Sequence, residues 1–403
     1  MSLRRLSSFA VALLVVLLGF APIMVRAQSA TPAAATPVAG TPIVPIASGL
    51  TNPRGFIWGP DGTLYVALAG SGGSTAATEQ APTSTILGPF TGGLTGALAK
   101  IEDGCPVAVA TGLASTLDAM GEVLGAEDVA MLGGELYVST DGGGPVHGNP
   151  DHPSGIYKVA ADGTMTLVAD LSAFLRANPV KTAPGDYDPD ADGYRMAADE
   201  SAGALWVLEP NSQGVLSVKP DGTITRVADL SAEHPVPASI ALVPGGGAVY
   251  VGMLTAVPFA DGSAKVIKVM ADGTVTDVWT NLTTVTGLAV GPDGTLYAAE
   301  MSTGNLAGPP FLVPGSGKVV KQTGMNTSEV VASGLMLPVS LGFGPDGGLY
   351  ASMPAIGANG GEGMIAWVGG ATPGAVPTAA SCVPIAETLS PIMATPAAAT
   401  PIS

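Results

Sequence analysis

The chain has 403 residues, with 56 Gly, 35 Pro, 12% charged residues and a formal charge of −17. Such an acidic chain repels phosphate backbones and anionic lipid, so nucleic acid and membrane surfaces are poor partners; cations, small molecules and neutral polymers remain. The Gly and Pro content argues against long helices and for an all-β chain with many tight turns, at a length one domain can hold.

In chain order, Arg4 and Arg5 precede an apolar run from Phe9 to Ala21, and Val25-Arg26-Ala27 fits the small-x-small cleavage rule. Residues 1–27 therefore read as a signal peptide of a secreted protein. The run is shorter than the roughly 20 residues a membrane span needs, so no stable membrane insertion is expected. Cleavage removes three arginines and no acid, which takes the charge from −17 to −20. Residues 28–42 and 371–403 are Ala/Thr/Pro-rich and read as a linker and a C-terminal tail that bury no core. Two cysteines, Cys105 and Cys382, form a candidate disulfide in an oxidising compartment, tying the tail to the first repeat.

Between the tails, "GPDGTLYVA" (Gly59 to Ala67) recurs as "GPDGTLYAA" from Gly291 and "GPDGGLYAS" from Gly344. Aligning such segments on their aromatic residue gives Tyr65, Tyr137, Trp206, Tyr250, Tyr297 and Tyr350, at intervals of 72, 69, 44, 47 and 53 residues. Each is an apolar strand, a Gly-containing turn and a second strand. Several units add a second hairpin, as in "VLSVKPDGTITRVADL". Four strands in 40–50 residues make a propeller blade, so residues 43–370 are expected to form a six-bladed β-propeller. "TPIVPIASGLTNPRGF" matches "SEVVASGLMLPVSLGF". The segment near Val44 to Ala47 thus reads as an outermost strand, supplied to the last blade to close the ring.

"GLTNPRGFIWGPDGTLYVA", "GCPVAVATGLAS", "GEVLGAEDVAMLGGELYVSTDGGG", "ADLSAFLRANP" and "ADGYRMA" resemble, in the same order, the ScyD/ScyE family of secreted propellers. The resemblance implies an NHL-like six-bladed propeller and an association with extracellular pigment metabolism. It assigns no catalytic residue. The family's Asp-Ser-Asn-Pro-Tyr stretch stands here as "DADGY" (Asp190 to Tyr194).

Aligned starts of the inner strands place Arg54, Glu127, Asp128, Tyr194 and Arg195 at the channel mouth, with Glu209 and Glu300 at strand ends. "DYDPDADGYRMAAD" has the D-x-D-x-D-G spacing of a calcium loop, with Asp188, Asp190, Asp192 and, at the twelfth position, Asp199. "STDGGGPVHGNPDHPSG" holds Asp141, His147, Asp151 and His152, but its Gly and Pro density predicts a mobile loop that would hold a metal badly. "ADLSAFLRANP" reads as a short helix capped by Asp170. No phosphate loop, nucleophile elbow or triad spacing occurs.

Two functions fit. An exported, monomeric binding or scaffold module for a small molecule or extracellular polymer needs only the ring and its loops. The alternative is a metal-dependent hydrolase of lactonase type, or a sugar oxidoreductase, as six-bladed propellers include both. That alternative expects Glu127, Glu209 and Glu300 to converge within about 5 Å of one point in the channel.

Overall fold

The turn chemistry sets the inner hairpins. In the first blade Gly62 sits at φ +82, where a side chain would be strained. The Asp61 carboxylate accepts from Thr63 N–H at 3.0 Å, and Gly59 N–H closes on the Thr63 carbonyl at 2.8 Å. The same geometry recurs around Asp293 and Gly294.

The computed structural model describes residues 42–80, 88–373 and 382–385, and the backbone of 393–394. The signal peptide expected over 1–27 and nearly all of the linker lie outside the described residues, as does most of the tail. The described residues build six four-stranded antiparallel blades, a six-bladed propeller. Blade one runs Pro53–Trp58, Leu64–Leu68, Thr91–Glu102 and Cys105–Leu117; blade two runs Ala126–Leu132, Glu135–Thr140, Gly155–Val159 and Met165–Asp170. Blade three runs Arg195–Asp199, Ala204–Glu209, Gly214–Val218 and Ile224–Asp229. Blades four and five follow from Pro237 to Leu282 and from Val285 to Leu335. Blade six takes Ser340–Phe343, Gly348–Met353 and Gly363–Gly370. Its outer strand is Val44–Leu50, paired from Val44 opposite Trp367 to Leu50 opposite Gly363. The N-terminal strand thus closes the ring, as its sequence predicts, by covering the edge that Gly363–Gly370 would otherwise expose.

Apolar residues alternate onto the faces between blades. Trp206, Leu208 and Val215 of blade three pack on Val249, Val251 and Ile267 of blade four. At the seam Leu50, Ile365 and Trp367 meet Leu68 and Ala97 of blade one. Burying each such side chain contributes about 1.5–3 kcal/mol.

The described parts of the tail dock on the ring. Cys382 is bridged to Cys105, and Ile385 packs on the seam cluster. Met393–Ala394 pairs in parallel with Met165–Asp170, on the outer edge of blade two. The helix Leu171–Ala177 leaves blade two, and Asp170 caps it by accepting from Ala173 N–H at 2.8 Å. No helix among the described residues is long and apolar enough to cross a membrane.

Strand polarity decides what can meet. Each first strand starts, and each second strand ends, on one face. The loops entering a blade and the loops between its second and third strands therefore share that face. The Asp-Gly turns lie on the other.

Candidate functional site

The inner strands begin in a polar plug. Arg54 is 1% exposed and Glu127 is fully buried; Arg54 Nε stands 3.2 Å from a Glu127 carboxylate oxygen. Arg54 also donates to the carbonyls of Val123 and Ala355, which ties blades one and six together. Arg195 donates to the Glu127 carbonyl at 2.5 Å and to the Val339 carbonyl at 2.7 Å, and its guanidinium lies over the Tyr194 ring. Asp128 accepts from the backbone of Met196 and Val129. Arg54, Glu127, Asp128 and Arg195, all expected at the mouth, are therefore consumed in holding the blades to one another, while the Tyr194 ring lies under the Arg195 guanidinium.

Glu127, Glu209 and Glu300 do not share a point. Glu127 binds Arg54; Glu209 accepts from Ser212 and from Asp192 N–H; Glu300 pairs with Lys318 at 2.8 Å and accepts from Thr283 N–H. Strand polarity alone does not bring side chains of different blades together, because each is free to turn toward a nearer partner.

The four carboxylates of the expected calcium loop do not meet either. Asp199 lies at the far end of Arg195–Asp199, roughly 13 Å down a strand that rises about 3.3 Å per residue. There it accepts from Ser201, Ala202, Trp206 Nε1 and Gly247 N–H on the opposite face. Asp190 turns to Arg176 at 2.8 Å and to Val146 N–H. The loop spacing assumes a helix after the acids, and here a strand follows.

A different set does converge. Ligand atoms of Asp141, His147 and Asp192 all lie within 4.8 Å of one another. Asp141 follows the second strand of blade two, His147 lies in the loop to its third strand, and Asp192 lies in the segment entering blade three. All three positions fall on the one face. Asp188 stands beside them, with its Oδ2 3.6 Å from His147 Nε2.

The His147 loop is not mobile in the way its composition suggests. Asn149 donates its amide to the Ser115 carbonyl, Thr116 Oγ1 and the Gly142 carbonyl. Thr116 in turn donates to the carbonyls of Gly142 and His147. The glycines serve close backbone approach: a Cβ on Gly92 would sit 2.5 Å from Gly148. Phe90 packs edge-on against the imidazole at 4.7 Å. Across the site, Asn211 clamps the Asp188–Asp190 backbone, accepting from Asp188 N–H and donating to both carbonyls.

His147 Nδ1 faces the Gly143 carbonyl at 2.9 Å. A carbonyl only accepts, so Nδ1 carries the proton donated there, and Nε2 faces the carboxylates. Burial works against charge on His147, but the acids at Asp188 and Asp141 outweigh it and lift its pKa to about 9. Burial pushes Asp141 up to about 7, and Glu209 likewise to about 7. Asp192 is raised well above the usual carboxylate range, first by burial and then by the charges of Asp141, Asp188 and Glu209. One Asp192 carboxylate oxygen is buried with no hydrogen-bond partner among the described residues. Crowded acids, an imidazole with its far nitrogen committed and an orphaned oxygen are what a divalent cation would satisfy. An N,O,O donor set suits first-row ions such as manganese or zinc, whereas calcium takes oxygen ligands alone.

The cluster borders a cavity of about 180 Å³, whose walls include Phe90, Leu124, Pro210 and Val236 with Tyr194, Asn211, Gln213 and His234. The loop read from sequence as a poor metal holder thus supplies Asp141 and His147 to the cluster, whereas its Asp151 and His152 do not join it. Composition flags both acidic loops, but it does not flag their pairing. Knowing that the two loops share a face of adjacent blades supplies that signal.

No family model and no curated protein sequence matches the chain. In structure it is similar to a putative oxidoreductase (glucose dehydrogenase) from Thermus thermophilus, at TM-score 0.50 and 13% identity over 81% of this chain and 100% of that one. It is also similar to a streptogramin B lyase, at TM-score 0.44 and 13% identity over 80% and 96% of the two chains. A Xanthomonas campestris gluconolactonase gives TM-score 0.40 and 13% identity over 81% and 97%. At these identities the likeness is one of fold.

Proposed function

We propose that the chain is an exported, divalent-cation-dependent hydrolase of small esters or lactones, built on a ScyD/ScyE-like propeller. The observation that carries this reading is the meeting of Asp141, His147 and Asp192, with a buried unpartnered carboxylate oxygen, at the wall of a solvent-reachable cavity. Asp141, His147 and Asp192 would hold the ion, with Asp188 and Glu209 behind them. A bound divalent ion would polarise the substrate carbonyl and acidify water there.

The chain's own residues do the rest. Gly143 fixes Nδ1 of His147, and Glu209, itself held by Ser212, accepts from Asp192 N–H, so the donor set is preorganised. The Arg54–Glu127–Arg195 plug lies beside the cavity through Tyr194 and supports its rigid side. Phe90, Leu124 and Val236 give an apolar wall, and Asn211 and Gln213 offer amides to orient a carbonyl or hydroxyl. A cavity of this size fits a molecule smaller than a typical drug-sized ligand. A pure binding or scaffold role would leave the crowded acids without a purpose.

The test is a hydrolysis screen of p-nitrophenyl esters and aliphatic lactones with manganese-loaded full chain against chain in EDTA. The reading expects turnover that needs the metal and is lost in Asp192→Asn. Equal rates with and without metal, or none, contradict it.

A further inference from the structure

His147, Asp141 and Asp192 are committed as ligands, Asp188 faces His147 and Glu209 is held by Ser212, so a proton acceptor free to serve the reaction is sought on another wall of the cavity. The chain has only three histidines, His147, His152 and His234. Two of them, His147 and His234, border the same cavity from different blades. His234 comes from the segment entering blade four, between Asp229 and Pro237. Its Nε2 stands 3.5 Å from Asp186 Oδ1, and Asp186 borders the cavity too.

The backbone that presents His234 is strained. His234 has φ +49 and Val236 has φ +55. A β-branched residue in the left-handed region is an outlier, and such strain persists only where surroundings over-determine it. Gln213 does so: it is buried, itself at φ +62, and its amide oxygen accepts from Val236 N–H at 2.6 Å while its amide nitrogen donates to the Pro210 carbonyl at 2.5 Å. Its backbone carbonyl accepts from Leu230 N–H at 3.0 Å. Blade three thus holds the loop in a shape that the loop's own residues disfavour.

We infer that His234, oriented by Asp186, is the catalytic general base of this cavity; the assignment rests on the hydrolase reading. A carboxylate 3.5 Å from Nε2 favours the tautomer with the proton on that nitrogen, which leaves Nδ1, without a hydrogen-bond partner among the described residues, as the base. Nδ1 takes a proton from water as the water oxygen bonds to the substrate carbonyl carbon. The imidazolium returns that proton to the leaving alkoxide as the ester C–O bond breaks. Water is the only co-reactant, and no electrons change hands. His234 is half-buried, open enough to reach a substrate and exchange protons.

The test uses the manganese-loaded full chain with p-nitrophenyl acetate and γ-butyrolactone, alongside His234→Gln, His234→Ala and Asp186→Asn. Manganese binding by electron paramagnetic resonance should be unchanged in all three, which shows the ligand trio intact. The assignment expects kcat to fall about 100-fold in both His234 variants with KM within about threefold, and Asp186→Asn to fall about tenfold. Added imidazole should restore much of the rate to His234→Ala and none to the parent. If wild type turns over with manganese and His234→Gln keeps its kcat, the assignment is overturned and the hydrolase reading stands. If wild type shows no manganese-dependent turnover, the hydrolase reading fails and the assignment with it.

Discussion

Arg195 of blade three donates to the carbonyl of Val339, which belongs to blade six, at 2.7 Å. In a ring of six these blades are opposite, so one side chain spans the axis. With Arg54 and Glu127 it converts the channel from a passage into a brace. Removing a partner from a buried charged network is costly, since carbonyls and the remaining charges stay buried. Arg195→Ala is expected to lose about 3 kcal/mol of unfolding free energy in urea. A loss below about 1 kcal/mol would mean the brace is not structural.

Gly55 faces the same network. A Cβ there would sit 1.7 Å from Asp128 Oδ1 and 3.0 Å from the Asp128 Cα. Asp128 is held by the Met196 and Val129 amides and cannot retreat without breaking them. Gly55→Ala should therefore destabilise by about 1–3 kcal/mol, whereas Gly62→Asn, in open space on the other face, should cost less than half as much. Comparison of the two melting temperatures decides this.

The disulfide Cys105–Cys382 clasps the ring at its seam. Ser48 N–H of the closing strand donates to Gly104, next to the bridge, and Gly49 has no room for a Cβ against Cys382. The bridge joins residues 277 apart in sequence, so its loss should cost about 2–4 kcal/mol. Cys382→Ser and the reduced wild type should unfold at the same urea concentration, below that of the oxidised protein. Amides of residues 44–50 should also exchange faster in both. Unchanged exchange there would show that the clasp does not guard the seam.

The blades are legible in the sequence because their information is local. The Gly62 turn and the Tyr65 strand lie within nine residues, and a repeat makes the reading redundant. Ring closure is legible because Val44–Leu50 carries the pattern of an outer strand. The candidate site is not. Asp141 and Asp192 are brought together by two loops whose composition alone reads as slack, and what stiffens them is Asn149, Thr116 and Asn211 bonding to backbone from a distance. The calcium-like spacing around Asp188 points to the right segment and the wrong partners, because Arg195–Asp199 is a strand and carries Asp199 away.

Burial lifts the Asp128 carboxyl to about 6, against the opposing pull of Arg195 and two backbone amides. A folded pKa above the unfolded value means that the native state takes up a proton on acidification. Stability tied to this group therefore rises as pH falls through 6 and levels off below about 4. Between pH 7.5 and pH 5, in EDTA, wild type should gain about 1.4 kcal/mol relative to Asp128→Asn, from one unit of titration below the folded pKa. Parallel stability curves for the two proteins would contradict the assignment.

The most direct measurement is native mass spectrometry of the full chain exchanged into manganese. The account predicts one bound ion in wild type, in Asp199→Asn and in Asp190→Asn, and none in Asp141→Asn or Asp192→Asn, with circular dichroism confirming that each variant is folded. Retention of the ion by Asp192→Asn, or its loss from folded Asp199→Asn with retention in Asp141→Asn, would contradict the account.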